Sequence, residues 1–388
     1  MASIRKRVLK PTKTGKRKTV WQVDYKDNQG KRRHRQFPTR READEWLVEA
    51  RGEVAAGTHV AATASKTFKE VATAWIADCK ANGRERTTTD VYEQRHRDYS
   101  GPLWDDRKIG TLSVADAKQL YEDILDRSRS HEIVRRVRIE VGAILQFAQS
   151  KGWLVKNVIH LTPYKVKKRK KRPPMPTVEE VQALIQATTE QWPDYLAMLF
   201  VLVFAGLRGS ELRGLCWSDI DFKRMLISIS RRADKFGVIG DPKSESGTRE
   251  IVMNKTTAKA LKEWKLKCPK SALGLVFPTS RGTPQNHANL MNRWLRLAQI
   301  EAGVTRIRIK PDKNGKQISV GVAKYGMHAL RHFCAALWIE SDFSPKRISV
   351  MMGHSTVAFT FDTYGYLFEA RMNVDKARDR AESIVMAG

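Results

Sequence analysis

Hydrophobic and polar positions follow two different periods along this chain, and the changes of period divide it. Near the N-terminus Trp21, Val23 and Tyr25 alternate with Gln22, Asp24 and Lys26, and a period of two predicts a strand. Asp27-Asn28-Gln29-Gly30 reads as a turn. Lys31 to Phe37, which contains Arg32, Arg33, His34 and Arg35, reads as a second strand. The period then lengthens. Thr39 with Glu42 three residues on makes a capping box, and Ala43, Trp46, Leu47, Ala50 and Val54 fall on one helical face. A small sheet whose outer face is basic, backed by one helix, suits a DNA groove, because a β-ribbon fits the major groove, and Arg32, Arg33 and Arg35 are candidate DNA contacts. The plain alternative is a small domain with a solvated basic face.

Residues 57–66 (GTHVAATASK) are small and polar and read as a linker. From Thr67 to Pro163 the pattern is helical throughout. Thr67 and Glu70 form a second capping box, and Phe68, Val71, Ala72, Trp75, Ile76 and Cys79 keep the i, i+3, i+4 spacing of a buried stripe. Ser113 caps a helix carrying Ala117, Leu120, Tyr121 and Ile124. A further helix carries Val134, Val137, Val141, Ile144, Leu145 and Ala148. Arg135, Arg136 and Arg138 stand on its other faces, open to phosphate contact or to solvation.

Residues 165–172 read KVKKRKKR, and Pro173, Pro174 and Pro176 forbid a continuous helix after them. Such a run, with Lys167, Lys168, Arg169 and Lys170 at its centre, gains affinity for DNA by counterion release; in a eukaryotic setting it would serve as a nuclear import signal. From Thr177, capped through Glu180, helices are predicted near 178–189, 194–206, 209–216, 257–267, 285–301 and 328–340. Arg224–Arg232 and Arg249–Met253 read as strands. The polar stretch 305–325 holds a turn at Asn314-Gly315 and reads as a solvated loop rather than as a lengthened hairpin against DNA.

Composition sharpens this picture. The 388 residues hold 71 Lys plus Arg against 42 Asp plus Glu, a formal net charge of +29. An excess of that size argues for a polyanionic partner. Cys79, Cys216, Cys268 and Cys334 are scattered, with no CxxC pair, against a disulfide scaffold or a thiolate zinc site and in keeping with a reducing compartment. The most apolar run, Leu196 to Leu207, is short of the roughly 20 residues that span a bilayer, and no apolar segment follows the basic N-terminus as in a signal peptide. A cytoplasmic, DNA-bound protein is the expectation.

The third part also carries polar residues where a plain core would not. Arg208 follows Ala205-Gly206-Leu207 at the end of an apolar helix, with Glu211 three residues on. A guanidinium so held presents a fixed fork of donors to phosphate, although by itself the pair reads as structural. In HALRH, His328 and Arg331 share a helical face at i, i+3, and His332 lies near them with an inward turn open to it. The string lacks the glutamate of HExxH and includes a cation, so no metal site is expected. Gly353-His354 closes a short helix begun by Ser344-Pro345. Tyr364 stands in FDTYGY, and Lys243 in DPKSESGTR, a plausible hairpin tip. Singly, Tyr364 would be packing and Lys243 solvated. Together, two arginines, two histidines, a lysine and a tyrosine can stabilise phosphoryl transfer by charge alone. No dense acidic cluster indicates a two-metal site, and no GxxxxGK[ST] string indicates nucleotide hydrolysis.

The strings AGLRGSEL, PKSESGTRE, HALRH, MMGH and TYGYLF, in this order, resemble those of the tyrosine recombinases, the integrases of the lambda type. The resemblance implies a multidomain, mainly α fold with small β-sheets. Its parts would be an arm-type DNA-binding domain of three strands and a helix (1–60), a helical core-binding domain (67–163), a basic linker (164–176) and a mixed α/β catalytic domain (177–388). It implies Tyr364 as nucleophile, forming a 3′-phosphotyrosine, and His328 as acceptor of its proton. Arg208, Arg331 and His354 would sit on the phosphate and Lys243 would protonate the leaving 5′-oxygen, with neither metal nor ATP as cofactor. The implied partners are double-stranded DNA attachment sites, three further copies in a homotetramer, a DNA-bending host protein and an excision factor. Met352 stands where Leu is usual, and Tyr366 where His often follows the nucleophile, supplying a second hydroxyl. The alternatives are a type IB topoisomerase, which would relax DNA without joining two sites, and a regulator without catalysis, which would form no covalent adduct.

Overall fold

A computed structural model gives the structure of the chain at residues 2–8, 19–26, 30, 32–55, 65–166, 172–242, 244–312, 315–371, 382–383 and 386. The sequence readings that fall on Asp27 to Gln29, Lys31, Asn314, Lys243 and the linker cations Lys167, Lys168, Arg169 and Lys170 lie outside the described residues. The chain forms two compact units, Met1–Arg169 and Lys170–Gly388.

The first unit has two separate cores. Strands Ser3–Val8, Thr19–Lys26 and Arg32–Phe37 form an antiparallel sheet in that order. The helix Arg40–Ala55 packs on it through Ala43 and Leu47 against Val23, with Ile4, Trp21, Phe37 and Trp46 around them. Thr39 caps that helix as expected, its Oγ1 accepting from the Glu42 amide at 3.3 Å.

Register sorts the three candidate arginines. Lys26 pairs with Arg32, Tyr25 with Arg33 and Val23 with Arg35. Because successive side chains leave opposite faces, the three arginines cannot share one surface. Arg33 and Arg35 lie on the helix-bearing face with Val23, and the Arg35 guanidinium stands 5.2 Å from the Trp46 ring centroid. Arg32 lies on the open face, with Arg5, Arg7 and His34.

The second core is helical. Phe68–Ala81, Val114–Ser128 and His131–Ser150 bring Phe68, Val71, Leu120, Ile124, Val137, Val141 and Ile144 together. The predicted capping box is present, Glu70 N–H donating to Thr67 Oγ1 at 3.2 Å and Thr67 N–H to Glu70 Oε2 at 2.6 Å. Ser113 caps its helix as expected, its Oγ accepting from Asp116 N–H at 3.2 Å, and the Asp116 carboxylate closes a second box that the sequence reading did not name. The helix Arg86–Arg95, which continues through a π turn at His96–Ser100, had no apolar signature. Arg135 and Arg136 are both tied to Glu132, and Arg138 donates to the Ile159 and Thr162 carbonyls.

The second unit is mainly helical around one large core. Its three-stranded antiparallel sheet pairs Leu226–Ile229 with Ile220–Asp221 on one side and Arg249–Val252 on the other. Residues 305–325 do not form a loop. Thr305–Pro311 and Gln317–Ala323 pair over seven positions, from Ala323 opposite Thr305 to Gln317 opposite Pro311. Alternation of Ile307 and Ile309 with Arg306, Arg308 and Lys310 carries the strand signal; polarity alone had suggested a loop. Among the described residues no helix is long and apolar enough to cross a membrane.

Candidate active site

The site is assembled on the C-terminal ends of two helices. The apolar helix from Leu196 passes into a π turn, Val201–Ala205, and stops at Gly206 in the left-handed conformation, φ 61°. The helix Pro345–Met352 stops in the same way at Gly353, φ 62°. At both positions φ disfavours a side chain, and contact adds to it, tightly at Gly206 and as a clash with backbone at Gly353. A Cβ on Gly206 would lie 3.0 Å from Cys334 Sγ, and one on Gly353 would lie 2.8 Å from the Ser246 carbonyl oxygen.

The last carbonyls of a helix have no donor within it and form the negative end of its dipole. Three successive carbonyls at the second end are taken by three different arginines. Met351 O accepts from Arg249 Nε at 2.7 Å, Met352 O from Arg331 Nη2, and Gly353 O from Arg208 Nη2 at 2.8 Å. Arg331 Nη1 also donates to Gly206 O at 2.6 Å, so the two helix ends share this guanidinium.

Glu211 is the counter-charge. Its Oε1 meets Arg208 Nη1 at 2.7 Å and its Oε2 meets Arg249 Nη2 at 2.8 Å, while Oε2 also accepts the Arg208 backbone N–H. Burial alone would raise the Glu211 pKa. The Arg249 hydrogen bonds and the charges of Arg249, Arg208 and Arg331 outweigh it and hold the carboxyl at about 2. Arg331, 2% exposed, is lowered to about 9 by burial and then by Arg208. Arg208 keeps 37% of its side chain exposed and is the accessible member of the three.

The helix Met327–Glu340 contributes the imidazoles. His328 and His332 meet edge to face, ring centroids 4.7 Å apart. His332 Nδ1 lies 2.7 Å from Tyr364 Oη. His354 Nδ1 lies 2.8 Å from Thr360 Oγ1, its ring nearly parallel to that of Tyr364 at 6.4 Å. Burial, and after it the neighbouring charges, lowers all three histidines: His328 through Arg331 and Arg208, His332 to about 4, His354 to about 3. They are neutral at pH 7. Tyr364 sits on the helix Val357–Arg371 and is 1% exposed. Burial pushes its hydroxyl up to about 12 against the pull of Arg331.

Of the six residues singled out from sequence, the structure brings five together: Arg208, His328, Arg331, His354 and Tyr364. Lys243 lies outside the described residues. Tyr366 faces another partner, its ring centroid 4.5 Å from the Arg172 guanidinium carbon. Two members escaped the sequence reading. Arg249 stood within the string PKSESGTRE, and its signal was the alternation of Arg249 and Ile251, both buried, with Glu250 and Val252. His332 was legible as a neighbour of Arg331, but not as the partner of the tyrosine. Among the described residues no group of three or more His, Cys, Asp or Glu side chains is placed to hold a metal ion.

A helical unit whose tyrosine is enclosed by arginines and neutral histidines defines a class, and comparison with known proteins gives it a name. Residues 176–371 match the model of the phage integrase family, and the chain belongs to that family. It is a site-specific tyrosine recombinase. A tyrosine recombinase XerC-like protein of Caldanaerobacter subterraneus is 23% identical over 337 residues, covering 78% of this chain and 79% of that protein. The transposase of transposon Tn916 from Enterococcus faecalis is 25% identical over 193 residues, covering 47% of this chain and 46% of its own length. In fold, the Tn1549 transposon integrase, solved with circular intermediate DNA, aligns at a TM-score of 0.63 and 20% identity over 82% of this chain and all of that one. A lambda integrase dimer bound to a core site aligns at 0.59 and 16% identity, over 91% of this chain and 93% of that one.

Proposed function

We propose that this recombinase is the integrase of a mobile element and that Tyr364 is its nucleophile. The observation that carries the reading is the meeting of four strings far apart in sequence around one buried phenol. The phenolic oxygen attacks a DNA phosphodiester, the bond to the 5′-oxygen breaks, and a 3′-phosphotyrosine holds the strand end. Arg208 and Arg331 stabilise the non-bridging oxygens as charge builds on them, and His354 donates a hydrogen bond to the same phosphate. The phenol's proton passes to a neutral imidazole of the Met327–Glu340 helix, the sequence expectation being His328. Lys243 is the candidate donor to the leaving oxygen. Glu211 and Arg249 hold Arg208 and Arg331 in place. One phosphoester replaces another, so the exchange is nearly isoenergetic and runs without ATP.

In this reading residues 1–60 bind arm-type sites, residues 67–163 bind core sites, the linker 164–176 tracks the backbone between them, and four copies act on two double-stranded attachment sites in the cytoplasm. A DNA-bending host protein and an excision factor complete the implied set. Tyr364→Phe tests the nucleophile. On a nicked suicide duplex it should retain DNA binding and lose the covalent adduct, read on a denaturing gel. Adduct at wild-type yield would move the nucleophile elsewhere, with Tyr366 the next candidate.

A further inference from the structure

We infer that His332, rather than His328, is the catalytic residue that receives the proton of Tyr364 during strand cleavage and returns it on rejoining. The inference rests on the proposed function and deepens it. Among the described residues the side-chain hydrogen-bond partner of the Tyr364 hydroxyl is His332 Nδ1, at 2.7 Å. His328 instead sets its ring against that of His332, one helical turn away. The two lie at i, i+4 on one face of Met327–Glu340, so His328 buttresses the imidazole that touches the phenol.

The chemistry of the pair fits the role. His332 is neutral at pH 7 and so able to accept. The burial and the charges of His328 and Arg331 that keep it neutral also make its imidazolium costly, a cost that the negative charge building on the attacked phosphate offsets. A neutral ring with its hydrogen on Nε2 leaves Nδ1 as an acceptor. Tyr364 is buried beside Arg331 and does not ionise by itself near neutrality. The step balances as follows. The Tyr364 Oη–phosphorus bond forms as the bond from phosphorus to the 5′-oxygen breaks, the phenolic proton moves to His332 Nδ1 to give an imidazolium, and the leaving oxygen takes a proton from a separate donor, for which Lys243 is the candidate. Rejoining runs the same transfers backwards. No co-reactant enters.

The test uses the full-length protein and a nicked suicide duplex that spans the joined ends of the element's circular form. The duplex is made with ordinary oxygen or with a bridging 5′-sulfur at the cleavage point. Sulfur leaves without needing a proton, so it rescues a missing donor and not a missing acceptor. Wild type should form adduct and Tyr364→Phe none; a failure there defeats the nucleophile reading before His332 is in question. His332→Asn keeps an acceptor atom near the Nδ1 position but cannot carry the proton. It should bind DNA and melt like wild type, yet form adduct about 100-fold more slowly on both duplexes. Cleavage within threefold of wild type, or rescue by sulfur, overturns the inference, as does an unrescued loss in His328→Asn with His332→Asn unimpaired. A second reading does not depend on the fold of a histidine variant. In protein labelled with nitrogen-15 at histidine, Tyr364→Phe should shift the Nδ1 resonance of His332; an unmoved His332 signal equally overturns it.

Discussion

The N-terminal sheet and the tyrosine-bearing site are both built around arginine, yet they hold it in opposite ways. On the sheet, Arg32 and Arg35 are exposed, and Arg35 rests on an aromatic ring. In the site, Arg249 and Arg331 are buried, and each is fixed by main-chain carbonyls and by a carboxylate or its field. Solvated cations give affinity that salt can erase. Desolvated ones hold a geometry, and removing a partner there is costly because a buried charge is left uncompensated. Charge count alone does not separate the two uses; burial and partners do.

The comparison can be broken most forcefully at Glu211. Glu211→Gln leaves Arg249, Arg208 and Arg331 without their shared counter-charge and should cost about 3–5 kcal/mol by urea unfolding. A loss below about 1 kcal/mol would mean that the carbonyls suffice. The same residue sets an acid limit. Its folded pKa near 2 lies below the ordinary 4.5, so its contribution is complete above about pH 4.5 and is lost as pH falls towards 2. It amounts to ~3 kcal/mol at 1.36 kcal/mol per unit. Glu211→Gln should flatten the stability profile in that window.

Gly353→Ala comes next. It adds a Cβ against the Ser246 carbonyl at a left-handed φ and should cost about 2 kcal/mol. Adduct formation should slow in the same variant, since the carbonyls holding Arg208 and Arg331 move with the turn. Unchanged melting would show that the turn relaxes freely. The smallest effects belong to the sheet. Arg35→Ala should lower stability by about 0.5–1 kcal/mol through the lost contact with Trp46. Arg32→Ala should leave melting unchanged and reduce the slope of log affinity against log salt for arm-site DNA by about 1. Equal behaviour of the two variants would erase the distinction that register draws between them.

Much of the site was legible because its chemistry is compressed into short strings. HALRH put His328 and Arg331 on one face by spacing alone, and AGLR placed an arginine where an apolar helix must end. The destination of His332 was not legible, because it depends on where a helix some 30 residues later lies. Local capping at Thr39, Thr67, Ser113 and Thr177 was read correctly, since a capping box is closed within four residues. The helix Arg86–Arg95 falls within the stretch read as helical, but its bounds were not legible because its residues are mostly polar, with Thr89 alone among them buried. The hairpin after Thr305 was misread because charged residues outnumber Ile307 and Ile309 in its first strand, so the alternation is a faint signal in a polar stretch; both isoleucines stay exposed in the structure.

The three consecutive acceptors Met351, Met352 and Gly353 work as a length standard. Arginines that would otherwise drift apart are indexed to the peptide repeat, a distance set by covalent bonds rather than by any side chain. Exchange of one apolar residue for another along that turn therefore leaves the gauge untouched, and a methionine can stand at 352 without consequence for spacing. Insertion or deletion of one residue would put every guanidinium out of step at once.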